Sequence, residues 1–272
     1  MNIPYRIGLL FPRPIRTIGR GLVQLGIFSG VRSVWNYWSV IHGKPSSPSP
    51  EEVSLRVRAL GGRRAFIRPN TTDGRVLFDA FFHRYHLPPP RCVGRDARVI
   101  LDLGSNIGLT TAHFAVVFPL AQIIGVELDS ANQRVAMENT APWREQCELI
   151  HSAIWPTDGQ ARYRRAPGCE DGFSVISSGA VDGCEEVPAV SINTLVESRQ
   201  LQSIDFVKMD IEGAERAVLR QNTEWAGRVR CLKVELHGSY SKEDARRDLE
   251  GLGFQAWYDR FHPRCVVGVR RA

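Results

Sequence analysis

The chain has 272 residues, 43% of them apolar, enough for one large α/β core plus an extension. Its net charge of +6 comes from one end: residues 1–50 carry Arg6, Arg13, Arg16, Arg20, Arg32 and Lys44 and no acid, while the other 29 of the 35 basic residues face all 29 acids. A body without basic excess argues against a nucleic-acid partner, and six cysteines with no C-x-x-C pair argue against a zinc framework or a disulfide scaffold.

Residues 1–50 read as a basic amphipathic segment ending in a linker. Arginines alternate with Leu9, Leu10, Phe11, Ile15, Ile18, Leu22, Leu25, Phe28, Trp35 and Trp38. No uncharged run reaches the length of a membrane span, and Arg13, Arg16 and Arg20 interrupt any signal-peptide core. Three readings stay open: contact with an anionic membrane surface, a helical extension packed on the main domain, or partial disorder. Lys44-Pro-Ser-Ser-Pro-Ser-Pro50 is a linker, because proline disfavours helix and serine is solvated. The expected location is the cytoplasm, and under the first of these readings residues 1–44 make peripheral contact at the inner membrane surface.

Residues 51–92 form a small extension. Val53 to Arg58 alternates apolar and polar residues, Gly61-Gly62 marks a turn, and Ala65 to Arg68 returns as the second strand of a hairpin. The loop Arg68-Pro-Asn-Thr-Thr-Asp73 precedes a short helix over 76–85, closed by Pro88-Pro89-Pro90. His83 and His86 have helical spacing, but with no further histidine or cysteine nearby they read as ordinary packing or solvent-facing side chains.

The main domain spans residues 93–272. Val99-Ile100-Leu101 is a buried strand, residues 104–108 (Gly-Ser-Asn-Ile-Gly) are a glycine turn, and Leu109, Ala112 and Val116 share one face of the helix that follows. A second strand, residues 123–126, ends in Glu127, about 20 residues past the first glycine, where βαβ nucleotide-binding units hydrogen-bond a ribose hydroxyl pair. A dinucleotide fingerprint starting at Gly104 needs glycine at 106 and 109; Asn106 and Leu109 stand there, so NAD is disfavoured. The pattern present is Asp102-x-Gly104-x-Asn106-x-Gly108.

A second crossover helix is expected over 130–140 with Ser130 as its cap, then a third strand over 147–151. Ser152 and Ala153 follow at its carboxyl end, where open α/β sheets meet a ligand, and are placed to meet an adenine. Residues 157–190 read as an excursion or hairpin over the site, and residues 193–200 as a short helix. A fourth strand leads through Val207-Lys-Met-Asp-Ile-Glu-Gly-Ala-Glu215, and a fifth through Val234-Glu-Leu-His237. Ser241-x-x-Asp244 opens a helix to about Glu250, and the chain closes with a strand over 254–258 and an antiparallel return over 265–269.

Taken together, Asp102-Leu-Gly-Ser-Asn-Ile-Gly108, Val126-Glu127, the string ending at Glu215 and Val234 to His237 resemble, in order and spacing, the FkbM family of S-adenosylmethionine-dependent methyltransferases. The Lys-Met-Asp-Ile-Glu-Gly-Ala-Glu string is the more specific part, and the resemblance covers about residues 65–270. It implies a Rossmann-like α/β fold, a seven-stranded mostly parallel sheet with helices on both faces and a C-terminal antiparallel hairpin. It also implies methyl transfer to a hydroxyl of a sugar, glycan or secondary metabolite.

The cofactor contacts are assigned to Asp102, Gly104, Ser105, Asn106, Gly108, Glu127, Ser152, Ala153 and Asp210, and catalysis to His237 and Asp210. An aliphatic hydroxyl is a poor nucleophile, and an imidazole that titrates near neutrality suits a general base. No metal is assigned, although Asp210, Glu235 and His237 could instead gather magnesium or manganese. The alternative function is a catalytically inactive methyltransferase fold acting as a binding or scaffold protein.

Overall fold

The computed structural model describes residues 26–42, 52–165, 173–176 and 185–270. Helix α1 (Val31–His42) leads to strands β1 (Val53–Arg56) and β2 (Arg64–Ile67), which pair antiparallel with Val53 opposite Ile67, forming the expected hairpin. The next helix, α2 (Asp73–Phe78), starts three residues earlier than the sequence suggests. The Asp73 carboxylate binds the Arg68 guanidinium through two hydrogen bonds, and the Thr71 hydroxyl accepts from the Asp73 amide, so this loop winds the first turn itself. A π-turn, Asp79–His83, completes the stretch and ends at Arg84 in the left-handed region.

The expected βαβ unit follows: β3 (Val99–Leu103), α3 (Leu109–Val117), β4 (Gln122–Glu127), α4 (Ser130–Thr140) and β5 (Cys147–His151). One detail differs. The cap of α4 is Asp129 rather than Ser130, because the Asp129 carboxylate accepts from the Asn132 amide while its own backbone is still extended. The chain then builds β6 (Ala153–Ile154), β7 (Gly159–Arg165), β8 (Phe173–Ile176) and β9 (Glu185–Val190), a separate sheet in the order β6-β9-β7-β8. This is the excursion anticipated over 157–190, of which residues 166–172 and 177–184 lie outside the described residues.

Helix α5 (Ile192–Ser198) returns to the main sheet through β10 (Ile204–Met209), α6 (Glu215–Arg220), β11 (Val229–Glu235), α7 (Lys242–Gly251), β12 (Gln255–Tyr258) and β13 (Cys265–Val269). As expected, Ser241 caps α7 by accepting from the Asp244 amide. The main sheet runs β12-β13-β11-β10-β3-β4-β5, and β13 is antiparallel to both of its neighbours. This is the seven-stranded, mostly parallel sheet that the resemblance implies.

Helices cover both faces, which is why the central strands β3, β4, β10 and β11 are buried almost throughout rather than alternately. Leu101 and Leu103 of β3 pack with Ile192, Val218 and Leu249 on one face, while Ile100 packs with Phe114 and Phe206 on the other. The N-terminal hairpin does not stand apart. Leu55, Ile67 and Leu77 share one cluster with Ile107, Leu109, Ala112 and Val135, and Asn139 of α4 is hydrogen-bonded to both the amide and the carbonyl of Phe66. Among the described residues no helix is long and apolar enough to cross a membrane.

The sheet order changes direction at β3: β4 lies on one side and β10 on the other. Open α/β sheets bind ligands at the carboxyl ends of strands beside such a switch.

Candidate active site

The carboxyl end of β3 turns on Gly104 and Gly108, both at positive φ. A Cβ on Gly104 would stand 1.8 Å from the Asp210 carbonyl oxygen, and one on Gly108 would stand 2.8 Å from Ala136 Cα. Glycine at 104 therefore lets the loop close against the end of β10, and glycine at 108 lets α3 start against α4. The amides of Gly104 and Ser105 both donate to the Val126 carbonyl at 2.9 Å, fixing the loop across β4. The Ser105 hydroxyl is buried without a protein partner.

Glu127 is 4% exposed. Its two oxygens accept from the Asn106 amide at 2.8 Å and the Asp129 amide at 2.9 Å. Burial raises its carboxyl to about 7 against the help of those amides. Each carboxylate oxygen keeps a further lone pair, the acceptor capacity that a ribose hydroxyl pair requires. Asn106 has φ 51°, and its own side-chain oxygen accepts from the Ile107 amide.

Ser152 and Ala153 sit at the end of β5 as expected, with the Ser152 amide on the Glu127 carbonyl. The Ser152 hydroxyl donates to the Pro188 carbonyl at 2.6 Å, and Ala153 is buried in β6, opposite Ala189. Ser152 thus faces the second sheet, and Ala153 belongs to it.

Asp102 lies beneath the loop, with no exposure. It accepts from the Thr110 and Thr111 hydroxyls at 2.6 and 2.7 Å and faces the Lys208 ammonium at 3.3 Å. Lys208 is the residue whose role the sequence conceals. It is 3% exposed, donates to the Gly104 carbonyl at 2.5 Å and stands 3.4 Å from Asp210. Burial pulls its ammonium down, but Asp102, Tyr85 and Asp210 outweigh burial and hold it well above its ordinary value. One buried cation thereby ties the glycine loop to both acids that flank it.

At the ends of β10 and β11 the structure brings Asp210 and His237 together, as the sequence suggests, and adds Glu212 and Glu215. The His237 Nε2 lies 3.6 Å from Asp210 Oδ1 and 3.5 Å from Glu212 Oε2, and its Nδ1 lies 2.9 Å from Glu215 Oε1. Glu215 is fully buried and also accepts from the Ile211 and Gly213 amides. That network assigns the Nδ1 proton to the Glu215 bond and turns Nε2 toward Asp210 and Glu212.

Burial alone would lower the imidazole, but the Glu215 hydrogen bond and the charges of Asp210 and Glu212 raise it to about 9. Burial, with Asp210 next, pushes Glu212 up to about 8 and Glu235 to about 7. Asp210, Glu212 and His237 place three ligand atoms within 4.8 Å of one another, a set that could also take a divalent cation. The acid completing the set is Glu212, not the Glu235 expected from sequence, because Glu212 turns back on a left-handed φ of 54°. His83 bonds Asp79, and His86 is buried against His113 at 2.9 Å, the ordinary packing anticipated for them.

A family model described as the methyltransferase FkbM domain matches residues 102–256, more than half of the chain. The chain is 24% identical over 149 residues to the hexuronic acid methyltransferase AglP of Haloferax volcanii, covering 55% of this chain and 60% of that protein. It is 26% identical over 152 residues to the 2-O-methyltransferase NoeI of Sinorhizobium fredii, covering 50% and 62%. It thus spans less than two thirds of either relative's length. Among solved structures it is similar to a Methanococcus jannaschii fibrillarin pre-rRNA processing protein at 13% identity and a TM-score of 0.43, over 83% of this chain and 86% of that one; likeness at this level carries no argument about function. The matched domain begins at Asp102 and takes in the glycine loop, Glu127, Asp210 and His237, so the chain belongs to the FkbM family of methyltransferases, whose methyl donor is S-adenosylmethionine.

Proposed function

We propose that this chain moves the methyl group of S-adenosylmethionine to an oxygen of a sugar or glycan, and that the acceptor oxygen is a hydroxyl. Both curated relatives support the reaction class: one is named for a hexuronic acid and the other for a 2-O position. The observation that carries the hydroxyl assignment is His237, whose Nδ1 is held by buried Glu215 while Nε2 faces Asp210 and Glu212. A carboxylate acceptor would need no base; a hydroxyl does.

In this reading the glycine loop from Gly104 to Gly108, with Ser105 and Asn106, receives the methionine part, and Asp102 supports it from below. Glu127 accepts from both ribose hydroxyls, the Ser152–Ala153 backbone lies toward the adenine, and Asp210 is near the methionine ammonium. Residues 93–272 form the methyltransferase domain and residues 51–92 buttress it. The reaction is an in-line displacement, so much of its rate can come from holding oxygen, methyl carbon and sulfur aligned. The oxygen–carbon bond forms as the carbon–sulfur bond breaks, the sulfonium leaves as the neutral thioether of S-adenosylhomocysteine, and the hydroxyl proton passes to His237 Nε2. Asp210 and Glu212 stabilise the imidazolium so formed. We place the reaction in the cytoplasm, at the inner face of the membrane.

Because the free enzyme's imidazole titrates at about 9, it carries a proton at neutral pH and the base form grows in as pH rises. With a methyl hexuronide as probe acceptor, kcat/KM should therefore climb with pH up to about 9. Glu212→Gln removes one negative neighbour and should move that rise to lower pH; His237→Ala should remove it and lower kcat by about 100-fold or more. Chelation should leave the rate unchanged. A pH-flat rate that survives His237→Ala would end the base assignment, and loss on chelation restored by magnesium would give the cluster to a cation.

A further inference from the structure

Helix α1 is the feature that the methyl-transfer reading leaves unused. Its inner face is committed: Tyr37 is buried against Phe28 with ring centroids 4.9 Å apart, its hydroxyl donates to the Gly74 carbonyl, and the Ser33 hydroxyl accepts from the Arg56 amide. Its outer face is apolar as well. Val31, Trp35, Trp38 and Ile41 recur at i, i+4, i+7 and i+10, with exposures of 77%, 65%, 47% and 39%. Trp35 and Trp38 stack with centroids 5.7 Å apart. A helix that hides one apolar face in the fold and presents a second one outward has more apolar surface than folding needs.

We propose that this outer face seats on the surface of an anionic lipid bilayer. This rests on the membrane-proximal placement given above, and it names the contact and the chemistry. Stacked indoles carry an apolar body with a polar N–H and favour the level of the lipid headgroups. The same stretch of sequence, residues 1–50, carries six basic residues and no acid, including Arg32 on the helix itself, which complements an anionic leaflet. A second copy of the chain would bring two such basic segments together, so charge argues against self-pairing through this face.

The test is co-sedimentation of the full chain with vesicles of phosphatidylcholine alone, or with about 30% phosphatidylglycerol, at low and high salt. Wild type and Trp35→Glu are compared, with calorimetric S-adenosylmethionine binding measured on both. The substitution lies on the outer face, so folding and cofactor binding should be unchanged. The expected result is binding to the anionic vesicles only, weakened by salt and weakened about tenfold or more by Trp35→Glu. Protein that binds the cofactor yet ignores anionic vesicles would overturn the proposal, as would vesicle binding indifferent to Trp35→Glu. A concentration-dependent dimer dissolved by Trp35→Glu would assign the face to a second copy instead. Failure of cofactor binding in folded protein would count against the methyltransferase reading, separately from the lipid result.

Discussion

Glu127 shows how much one residue can carry. The fold buries it, which opposes ionisation, and supplies two backbone amides, which favour it; burial wins and the carboxyl titrates at about 7. Ribose hydroxyls donate, so the cofactor selects the carboxylate and should expel a proton when it binds to the protonated form. Calorimetry at pH 6 in buffers of different ionisation enthalpy should show release approaching one proton per cofactor, fading by about pH 8.5, and none in Glu127→Gln. Binding without proton release at pH 6 would mean that the ribose does not meet this carboxylate. The linkage with folding has the opposite sign from a paired surface acid. A carboxyl raised from 4.5 in the unfolded chain to about 7 in the folded one costs stability as pH climbs through that window.

The place of Glu127 at the end of β4 was readable from its distance to Gly104 alone. Lys208 and Glu215 were not. Their partners lie 104 and 22 residues away, and only the register of β10 on β3, and the return of β11 beside β10, brings the groups together. The same is true of Glu212, whose approach to His237 depends on a left-handed turn at a non-glycine residue, which composition does not announce.

At the scale of elements, local signals worked where the chain's own side chains decide the outcome. The hairpin, the Ser241 cap and the strand–turn–helix around Gly104 formed as their residues dictate. The helix expected over 76–85 started instead at Asp73, because Arg68 and Thr71 reach forward to anchor it, and its end widened into a π-turn.

The Gly104 turn is the element on which the cofactor reading depends most. Gly104→Ala combines a positive φ with a Cβ placed 1.8 Å from a carbonyl oxygen of the neighbouring strand, backbone against backbone, so the loop must move. The expected outcome is cofactor affinity reduced at least about tenfold, with a thermal midpoint lowered by several degrees, on the order of 1–3 kcal/mol of strain. Serine at 105 offers an internal comparison: Ser105→Ala removes only a buried hydroxyl without a protein partner and should leave stability near wild type. An unchanged affinity in Gly104→Ala would show that the loop does not touch the cofactor.

For the whole molecule, the alternation of strands and helices and the single reversed strand β13 were legible, since buried parallel strands write themselves as apolar runs between helical patterns. The second sheet, β6-β9-β7-β8, was legible only as an excursion, because its strands are short and β9 pairs with β6 and β7 across tens of residues. It lies beside Ser152, whose hydroxyl donates to the Pro188 carbonyl. The molecule thus divides its elements: α1 and the hairpin on one flank, the second sheet on another, and at the carboxyl edge between β4 and β11 the glycine loop on one side and a histidine with three acids on the other.

That division stands or falls with the methyl donor. The most direct test is calorimetric titration of the purified chain with S-adenosylmethionine, S-adenosylhomocysteine and NAD, repeated on Glu127→Ala. The account predicts micromolar binding of the first two, none of NAD, and at least about tenfold weaker binding in the variant, roughly 1.4 kcal/mol for lost hydrogen bonds to a charged group. Folded protein that ignores S-adenosylmethionine, or that binds NAD in its place, would contradict it and leave a methyltransferase fold serving as a scaffold.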